Sequence, residues 1–306
     1  MHYNSLNRYL KDKFGKKVYK LSIDGGFTCP NRDGTLGTNG CIFCSARGSG
    51  DFSASRNLSI TEQIEQAKSR VKSKTKDNAY IAYFQAFTNT YAPIEQLRAK
   101  YTEAINHKDI VALSIATRPD CIDDKVYALL NELNHIKPVW VELGLQTVHK
   151  DSVKYIRRGY PNEVYSHCAV KLRKLGIEVI THIILGLPDE STEDMLKSVR
   201  FAGQYSDGIK LQLLHILKGT DLLNDYEDGK FEALTLEEYV DILCECIEAL
   251  PENVIIHRLT GDGDKKILTA PMWSADKKNV LNTINREFEK RNVIQGKKAL
   301  DFSHTI

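Results

Sequence analysis

The chain is 306 residues long, 42% hydrophobic and 27% charged, with a formal net charge of +2. These proportions exclude a disordered or fibrous chain, and seven cysteines are too few for a disulfide scaffold of this length. A rule of about 150 residues per domain gives two domains, whereas an α/β barrel of about 250 residues runs as one.

The near-zero charge conceals segregation. Residues 1–20 hold six Lys/Arg and one acid, residues 277–298 hold seven and two, and residues 221–252 hold eleven acids and one Lys. Lys68, Arg70, Lys72, Lys74 and Lys76 form a further basic run. Such runs are usually solvated faces, but three against one acidic segment also fit a polyanion-binding side. The N-terminus lacks the apolar core of a secretory signal. No run approaches the ~20 apolar residues of a membrane span, and the end, ALDFSHTI, carries no lipidation signature. The expectation is a cytoplasmic chain with no membrane partner. In that reducing compartment clustered thiols are metal ligands or catalysts rather than bridges.

From about residue 18 short apolar runs alternate with helical periods. Candidate strands are Val18–Ile23, Tyr80–Phe84, Ile110–Ala116, Val139–Leu145, Ile177–Leu185 and Ile209–Ile216. Their near-continuous Ile, Val and Leu content reads as parallel strands covered on both faces. Ser191 and Asp194 open a helix with Met195, Val199 and Ala202 on one face. Thr235 and Glu238 open another, striped by Leu236, Tyr239, Val240, Leu243, Ile247 and Leu250 and stopped by Pro251. This alternation gives an α/β fold, either a parallel barrel or a doubly wound sheet. No glycine-rich phosphate loop follows any strand.

In such folds ligands sit at the carboxyl ends of strands. The polar residues there are Gln85, Thr117, Arg118, Glu142, Gln146, His182 and Gln212. Glu142 and Gln146 have the same parity and share a strand face. A Glu inside WVELGLQ is costly to bury unless it is paired or meets a ligand. A salt-bridged strand-end residue explains it equally well.

The most informative segment is the run from Cys29 through Cys41 to Cys44, directly after the first strand. Eleven residues separate the first two thiols and two separate the last pair, and the loop between is rich in Gly, Asn, Asp and Thr. Zinc would need a fourth ligand, yet no His lies between His2 and His107 and the next cysteine is Cys121. Three thiolates suit a [4Fe–4S] cluster with one open iron better. Zinc with a distant fourth ligand, and incidental thiols, stay open as readings of the residues alone. Cys121, Cys168, Cys244 and Cys246 lack such spacing and read as core or surface thiols.

A three-Cys loop after the first of six strands resembles the radical S-adenosylmethionine (SAM) superfamily. The common spacing there is CxxxCxxC, and a longer first gap is typical of the branch containing the Elongator catalytic subunit. That branch is matched by Ala116-Thr117-Arg118-Pro119-Asp120, by Val141-Glu142-Leu143-Gly144-Leu145-Gln146-Thr147, by Arg157-Arg158-Gly159-Tyr160 and by Gly186-Leu187-Pro188. FTCPNRDGTLGTNGCIFC, YFQAFTNTYAP, IKLQLLHILKGTDL, IIHRLTGDG and APMWSADKKNVLN are similar to the YtqA/YhcC-like (MnmL-type) subfamily, and span Phe27 to Asn282. The resemblance implies a partial (β/α)6 TIM-like barrel over residues 18–220, a basic extension at 1–17 and a C-terminal α/β extension at 221–306.

By the same resemblance, Cys29, Cys41 and Cys44 hold the cluster, and SAM chelates its open iron. Phe43 matches an aromatic near the adenine. Gln85 and Ala86 stand where many relatives carry Gly-Gly-Glu. Thr117 and Arg118 fall on the SAM side, and Ala116 replaces a Glu. Glu142 and Gln146 lie near the ribose and methionine, and Arg158 matches an arginine that pairs with the SAM carboxylate. His182 stands where some relatives have Asp, with a satisfied barrel histidine as the alternative. The implied chemistry is reductive cleavage of SAM to methionine and a 5′-deoxyadenosyl radical that abstracts hydrogen from a substrate carbon.

Subfamily members are implicated in tRNA wobble-uridine modification, from carboxymethylaminomethyl-uridine to aminomethyl-uridine. The implied partners are tRNA and a one-electron donor such as flavodoxin or ferredoxin. Lys277, Lys278, Arg286, Lys290 and Arg291 on the expected last helix are candidate phosphate contacts. His257, Arg258 and Asp262, expected in a loop after the barrel, are candidate substrate-pocket residues, with a structural turn as the alternative. The same chemistry on a small metabolite or protein, and a cluster-bearing redox sensor without turnover, are the competing functions.

Overall fold

The computed structural model describes residues 2–48, 50, 53–72, 77–261 and 263–299, so Lys74, Lys76 and Asp262 lie outside the described residues. The chain opens with α1 (Leu6–Phe14) and β1 (Tyr19–Ile23), then alternates α2 (Ile60–Val71), β2 (Tyr80–Phe84), α3 (Ile94–Asn106), β3 (Ile110–Thr117), α4 (Asp124–Asn134) and β4 (Val139–Gln146). It continues through α5 (Lys150–Tyr155), α6 (Asn162–Lys174), β5 (Glu178–Leu185), α7 (Thr192–Tyr205) and β6 (Gly208–Leu213). Next come β7 (Ile216–Leu217), α8 (Asp221–Glu227), α9 (Leu236–Ala249), β8 (Ile255–Arg258), β9 (Leu268–Ala270) and α10 (Lys277–Lys290). Strands β1 to β6 and then β8 form one seven-stranded sheet in sequence order, every pair parallel. This is an α/β half-barrel with helices outside, as expected of a partial TIM-like fold.

Two expectations are corrected. The run 209–216 is not one strand. It breaks after Leu213, where the Leu214 amide turns back to the Leu185 carbonyl (2.9 Å), and Ile216–Leu217 pair antiparallel with β9. His257 and Arg258 lie not in a loop but on β8, the seventh strand. IIHR is too short to show a period, and its strand character comes from pairing with β6 and from the Asn4 carbonyl, which accepts from the Ile256 amide (2.8 Å). The capping boxes at Ser191 with Asp194 and at Thr235 with Glu238 are both present.

Strand alternation sorts the side chains into an outer face and an inner one. Outward residues such as Leu21, Phe84, Leu113, Val141, Val179 and Leu211 pack in the large core under the helices. The inner face is layered. At its amino-terminal end Ile81, Ala112, Trp140 and Ile180 meet Leu10 of α1, with Leu6, Tyr9 and Phe14 beside it. Helix α1 therefore closes that end of the half-barrel. One step higher the inner positions turn polar: Tyr83, Ser114, Glu142, His182 and Lys210.

Candidate active site

The thiol loop follows β1 and folds on its own side chains. The Cys29 carbonyl accepts from the amides of Arg32 (2.8 Å) and Asp33 (3.2 Å), and Cys41 and Cys44 form a turn in which the Cys44 amide donates to the Cys41 carbonyl (3.0 Å). Arg32 donates to the carbonyls of Cys44 (3.0 Å) and Ser45 (2.7 Å). Buried Asn31 donates to the Arg157 carbonyl (2.7 Å) and reaches the Cys41 sulfur at 3.4 Å. Gly40 needs its glycine: φ is +74°, and an added Cβ would stand 2.9 Å from the Arg32 guanidinium.

All three thiols are half-buried. Burial, with the neighbouring Cys44 and Cys29 sulfurs, pushes the Cys41 thiol up to about 12. A thiol raised in this way ionises on meeting a cation, as a metal ligand does. Among the described residues the one group of three ligand atoms within 4.8 Å of one another is Glu65, His107 and Asp109, not the thiols. A single zinc with bonds of about 2.3 Å would draw its sulfurs to about 3.8 Å. Three thiolates with no fourth ligand grouped with them among the described residues suit a multi-iron cluster with one open iron better than a closed zinc site. Lys68 already bridges Glu65 and Asp109, at 2.7 Å and 2.6 Å.

The thiols open into a cavity of about 270 Å³ that runs into the half-barrel. Phe43, Gln85, Thr117, Arg118, Glu142, Gln146, Arg158, His182, Gln212 and Arg258 all line it, so most of the strand-end candidates converge there. Gln146 stands out. Its φ is +60° and its register with β5 slips at a bulge. Its buried Oε1 has no hydrogen-bond partner among the described residues. A left-handed residue with an orphaned buried acceptor beside a cavity fits a place where a ligand supplies the missing donor. Phe43 packs on the apolar wall around Ile42, Ile184 and Leu214.

Arg158 does not present a free fork. Its five N–H groups are taken by the carbonyls of Tyr160 (twice), Leu145 and Thr147 and by Asn162 Oδ1, at 2.7–3.0 Å. A carboxylate would have to displace one of these. In this structure the residue pins the segment between β4 and α6. Arg118 forks onto Asp120 (3.0 and 2.7 Å) and stands 4.8 Å from the Tyr160 ring centroid. Thr117 is buried against Thr90 (2.6 Å).

Below lies the polar layer, which the strand-end rule only half anticipates. Glu142 is buried and saturated. Its Oε1 accepts from Lys20 (2.6 Å) and Ser114 (2.6 Å), and its Oε2 from His182 (2.7 Å) and Lys210. Lys210 also donates to the Tyr83 hydroxyl (3.0 Å). The cations Lys20 and Lys210 and the His182 bond hold the Glu142 carboxyl well below its usual range, against burial. Burial brings Lys210 down to about 7, with Glu142 opposing the shift and Lys20 and Arg258 assisting it. Burial and Lys210 bring His182 down to about 4, so its ring is neutral. Lys20, Tyr83, Ser114 and Lys210 were missed because each sits in the middle of a strand, not at its end. The signal was present as one polar residue at inner parity in each strand.

Lys210 gives a pH prediction. Lys20, Tyr83, Glu142, His182, His257 and Arg258 surround it from every neighbouring strand. Folded, it titrates near 7, against about 10.4 unfolded. Between those values the unfolded chain binds more protons, so this group makes unfolding free energy rise with pH. Denaturant titrations at pH 7 and pH 9 should show that rise, and Lys210→Met should remove its share. An identical slope in the variant refutes the assignment.

The α10 candidates split. Arg291, the residue that ends the helix, pairs with Asp241 of α9 (2.6 Å) and with Glu287 (3.1 Å). Lys290 pairs with Glu287 (3.5 Å), and Arg286 lies 3.8 Å from the same residue. Lys297 and Lys298 reach Glu248 of α9. Arg291, Lys297 and Lys298 of the C-terminal basic run thus answer the acidic segment of the same chain, and all five α10 candidates are exposed. Among the described residues no helix is long and apolar enough to cross a membrane.

Residues 34–202 match the model of the Radical SAM superfamily, and residues 206–290 that of the Radical_SAM C-terminal domain. The chain is 48% identical over 296 residues to YtqA of Bacillus subtilis, covering 96% of this chain and 92% of that protein. It is 37% identical over 286 residues to YhcC of Escherichia coli, covering 93% and 91%. Its fold is similar to that of the archaeal Elp3 of Methanocaldococcus infernus, with a TM-score of 0.69 at 19% identity, covering 91% of this chain and 64% of that one. A three-thiol loop opening on a barrel cavity, joined to these matches, makes the chain an enzyme of the radical SAM superfamily, whose members use a [4Fe–4S] cluster and SAM.

Proposed function

We propose that this enzyme modifies the wobble uridine of tRNA, abstracting hydrogen from the CH₂ of a carboxymethylaminomethyl arm; loss of one more electron and addition of water to the resulting imine then release the two carbons as an oxo-acid and leave aminomethyl-uridine. The observation that carries the reading is one cavity joining the thiol loop to the inside of the half-barrel, closed at the far end by α1. A slender arm fits such a space better than a bulky group. A more distant relative is named tRNA uridine(34) acetyltransferase, from Methanocaldococcus infernus, and is 27% identical over 167 residues, 53% of this chain and 30% of that protein.

In this reading Cys29, Cys41 and Cys44 hold the cluster. Phe43, Gln85, Thr117, Arg118 and Gln146 line the place of SAM, and Gln146 Oε1 takes a donor from it. When bound, these groups supply the 5′-deoxyadenosyl radical that removes hydrogen from the arm. The chain's own part is to orient the arm and to exclude water and competing hydrogen donors. Lys277 and Lys278 contact phosphate, and a flavodoxin or ferredoxin delivers the electron.

The test is anaerobic reconstitution with SAM, a reductant and bulk tRNA from a strain lacking this protein, read by nucleoside mass spectrometry. The expected result is conversion of carboxymethylaminomethyl-uridine with formation of 5′-deoxyadenosine. Turnover of SAM with no mass change in tRNA rejects the substrate. Absence of 5′-deoxyadenosine rejects the enzymatic reading.

A further inference from the structure

We propose that a groove on the outer side of the thiol loop docks an acidic redox protein, and that the electron for the cluster enters there. This site extends the electron-donor part of the proposed function and rests on Cys29, Cys41 and Cys44 holding the cluster. The thiols line the half-barrel cavity, which in that reading the reactants fill. Behind them, a second cavity of about 810 Å³ lies between the thiol loop and the segment joining β4 to α6. The two share Gly40, Arg158 and Tyr160 as a common wall. Asn31 and Arg157 both line the groove. The Asn31 amide donates to the Arg157 carbonyl (2.7 Å) and reaches the Cys41 sulfur at 3.4 Å, and that sulfur lies 3.9 Å from the same carbonyl. A protein seated in the groove is therefore a single residue away from Cys41. Through the half-barrel it would have to displace the reactants.

The chemistry of the groove names its occupant. The described lining carries Lys150, Lys154, Arg157 and Arg158 against one acid, Glu163. Arg157 is paired with Asp221 (2.5 Å), and Arg158 is buried among carbonyls. Lys150 and Lys154 sit one turn apart on α5, exposed, and make no ion pair among the described residues. Asp151, between them in sequence, is not part of the lining. Val148, Val153 and Pro161 make the lining apolar beside these cations, and Leu36 within it is 54% exposed. Cations around an apolar groove suit a partner that offers carboxylates around a flat apolar cofactor edge, as a flavin carried at an acidic protein surface does. An RNA strand would meet the cations but find no free ring to stack on. Tyr160, the aromatic side chain of the described lining, is buried against Arg118 and Arg158. The step itself is a transfer of one electron. The donor's reduced flavin is oxidised by one electron, the cluster is reduced by one, and no bond or proton moves. Contacts between redox proteins bury less than about 1,200 Å², so a groove with a few charges suffices.

The test uses the full chain with its cluster reconstituted anaerobically and a bacterial flavodoxin as probe. Binding of oxidised flavodoxin is titrated, and 5′-deoxyadenosine formation is followed with reduced flavodoxin and, separately, with dithionite. Lys150→Glu combined with Lys154→Glu should lower flavodoxin affinity and its kcat/KM at least about tenfold, while dithionite-driven cleavage stays within about twofold. Added salt should weaken wild-type binding and narrow the gap between the two proteins. Leu36→Ser should weaken binding about threefold, with little dependence on salt. Lys11→Glu combined with Lys16→Glu makes the same change of charge at α1, by the closed end of the half-barrel, and should leave both readouts unchanged. Flavodoxin binding and turnover that survive in the groove variant overturn the proposal, as does an equal loss in the α1 variant. A wild type that dithionite drives but flavodoxin does not also overturns it. A groove variant that loses affinity for tRNA and keeps flavodoxin turnover overturns it too, and gives the groove to RNA. A wild type that dithionite cannot drive rejects the enzymatic reading instead, and flavodoxin binding lost only in the groove variant would still support the docking site.

Discussion

Cys44→Ala should yield a folded protein that takes up far less iron and sulfide on reconstitution and no longer cleaves SAM. The fold does not depend on this sulfur. The Cys44 amide and carbonyl make the contacts that shape the loop, to the Cys41 carbonyl and from Arg32, and alanine keeps both. The seven-stranded sheet and its core lie elsewhere. What is lost is the sulfur itself. The cost in turnover should exceed the about 10–100-fold typical of removing a contact that merely supports a metal ligand. Iron and sulfide analysis, visible absorbance and 5′-deoxyadenosine formation measure it. An unchanged cluster would place the ligand elsewhere, and a protein that fails to fold would show the loop to be structural.

Glu142→Gln should lower the unfolding free energy by about 3–5 kcal/mol, as expected when one partner leaves a buried ion cluster. The amide has one acceptor oxygen where the carboxylate has two, and no charge. Lys20 and Lys210 would then face each other across it, with His182 and Ser114 competing for the same oxygen. Adding Lys210→Met should recover part of the loss, because it removes a stranded cation. The native contribution is present above the usual glutamate range near ~4.3 and disappears as pH falls through the depressed folded value. A loss below about 1 kcal/mol would mean that the pair behaves as if solvated.

Long, strongly apolar strands were legible in the sequence because each is buried on both faces. Tyr80–Phe84, Val139–Gln146 and Glu178–Leu185 fall within a residue or two of where Ile, Val and Leu place them. The capped helices were legible for the same local reason. Ile255–Arg258 was not, since four residues carry no period and its place is set by β6 at one edge and Asn4 at the other. The thiol spacing singled out the loop from Cys29 to Cys44, but only the fold shows Asn31 and Arg32 holding it. At the strand ends Gln146 was found by parity, yet nothing in WVELGLQ shows its left-handed backbone or its orphaned oxygen. Arg158 was found by motif, and tertiary packing gave its donors to carbonyls instead. The Glu142 network was half visible. The acid declared itself as anomalous, but its partners Lys20 and Lys210 lie 122 and 68 residues away and meet it only when the sheet curls.

Helix α1 was read as a basic extension, yet its Leu10 stops the amino-terminal end of the half-barrel. That makes the reaction chamber a cul-de-sac. A molecule seated deep in it would have to arrive before anything lodged nearer the thiols, and depart after it. The order of entry is thus dictated by architecture, as in a narrow quiver where the first arrow in is the last out. Kinetics should show compulsory order, and a chain shortened past Leu10 should lose it.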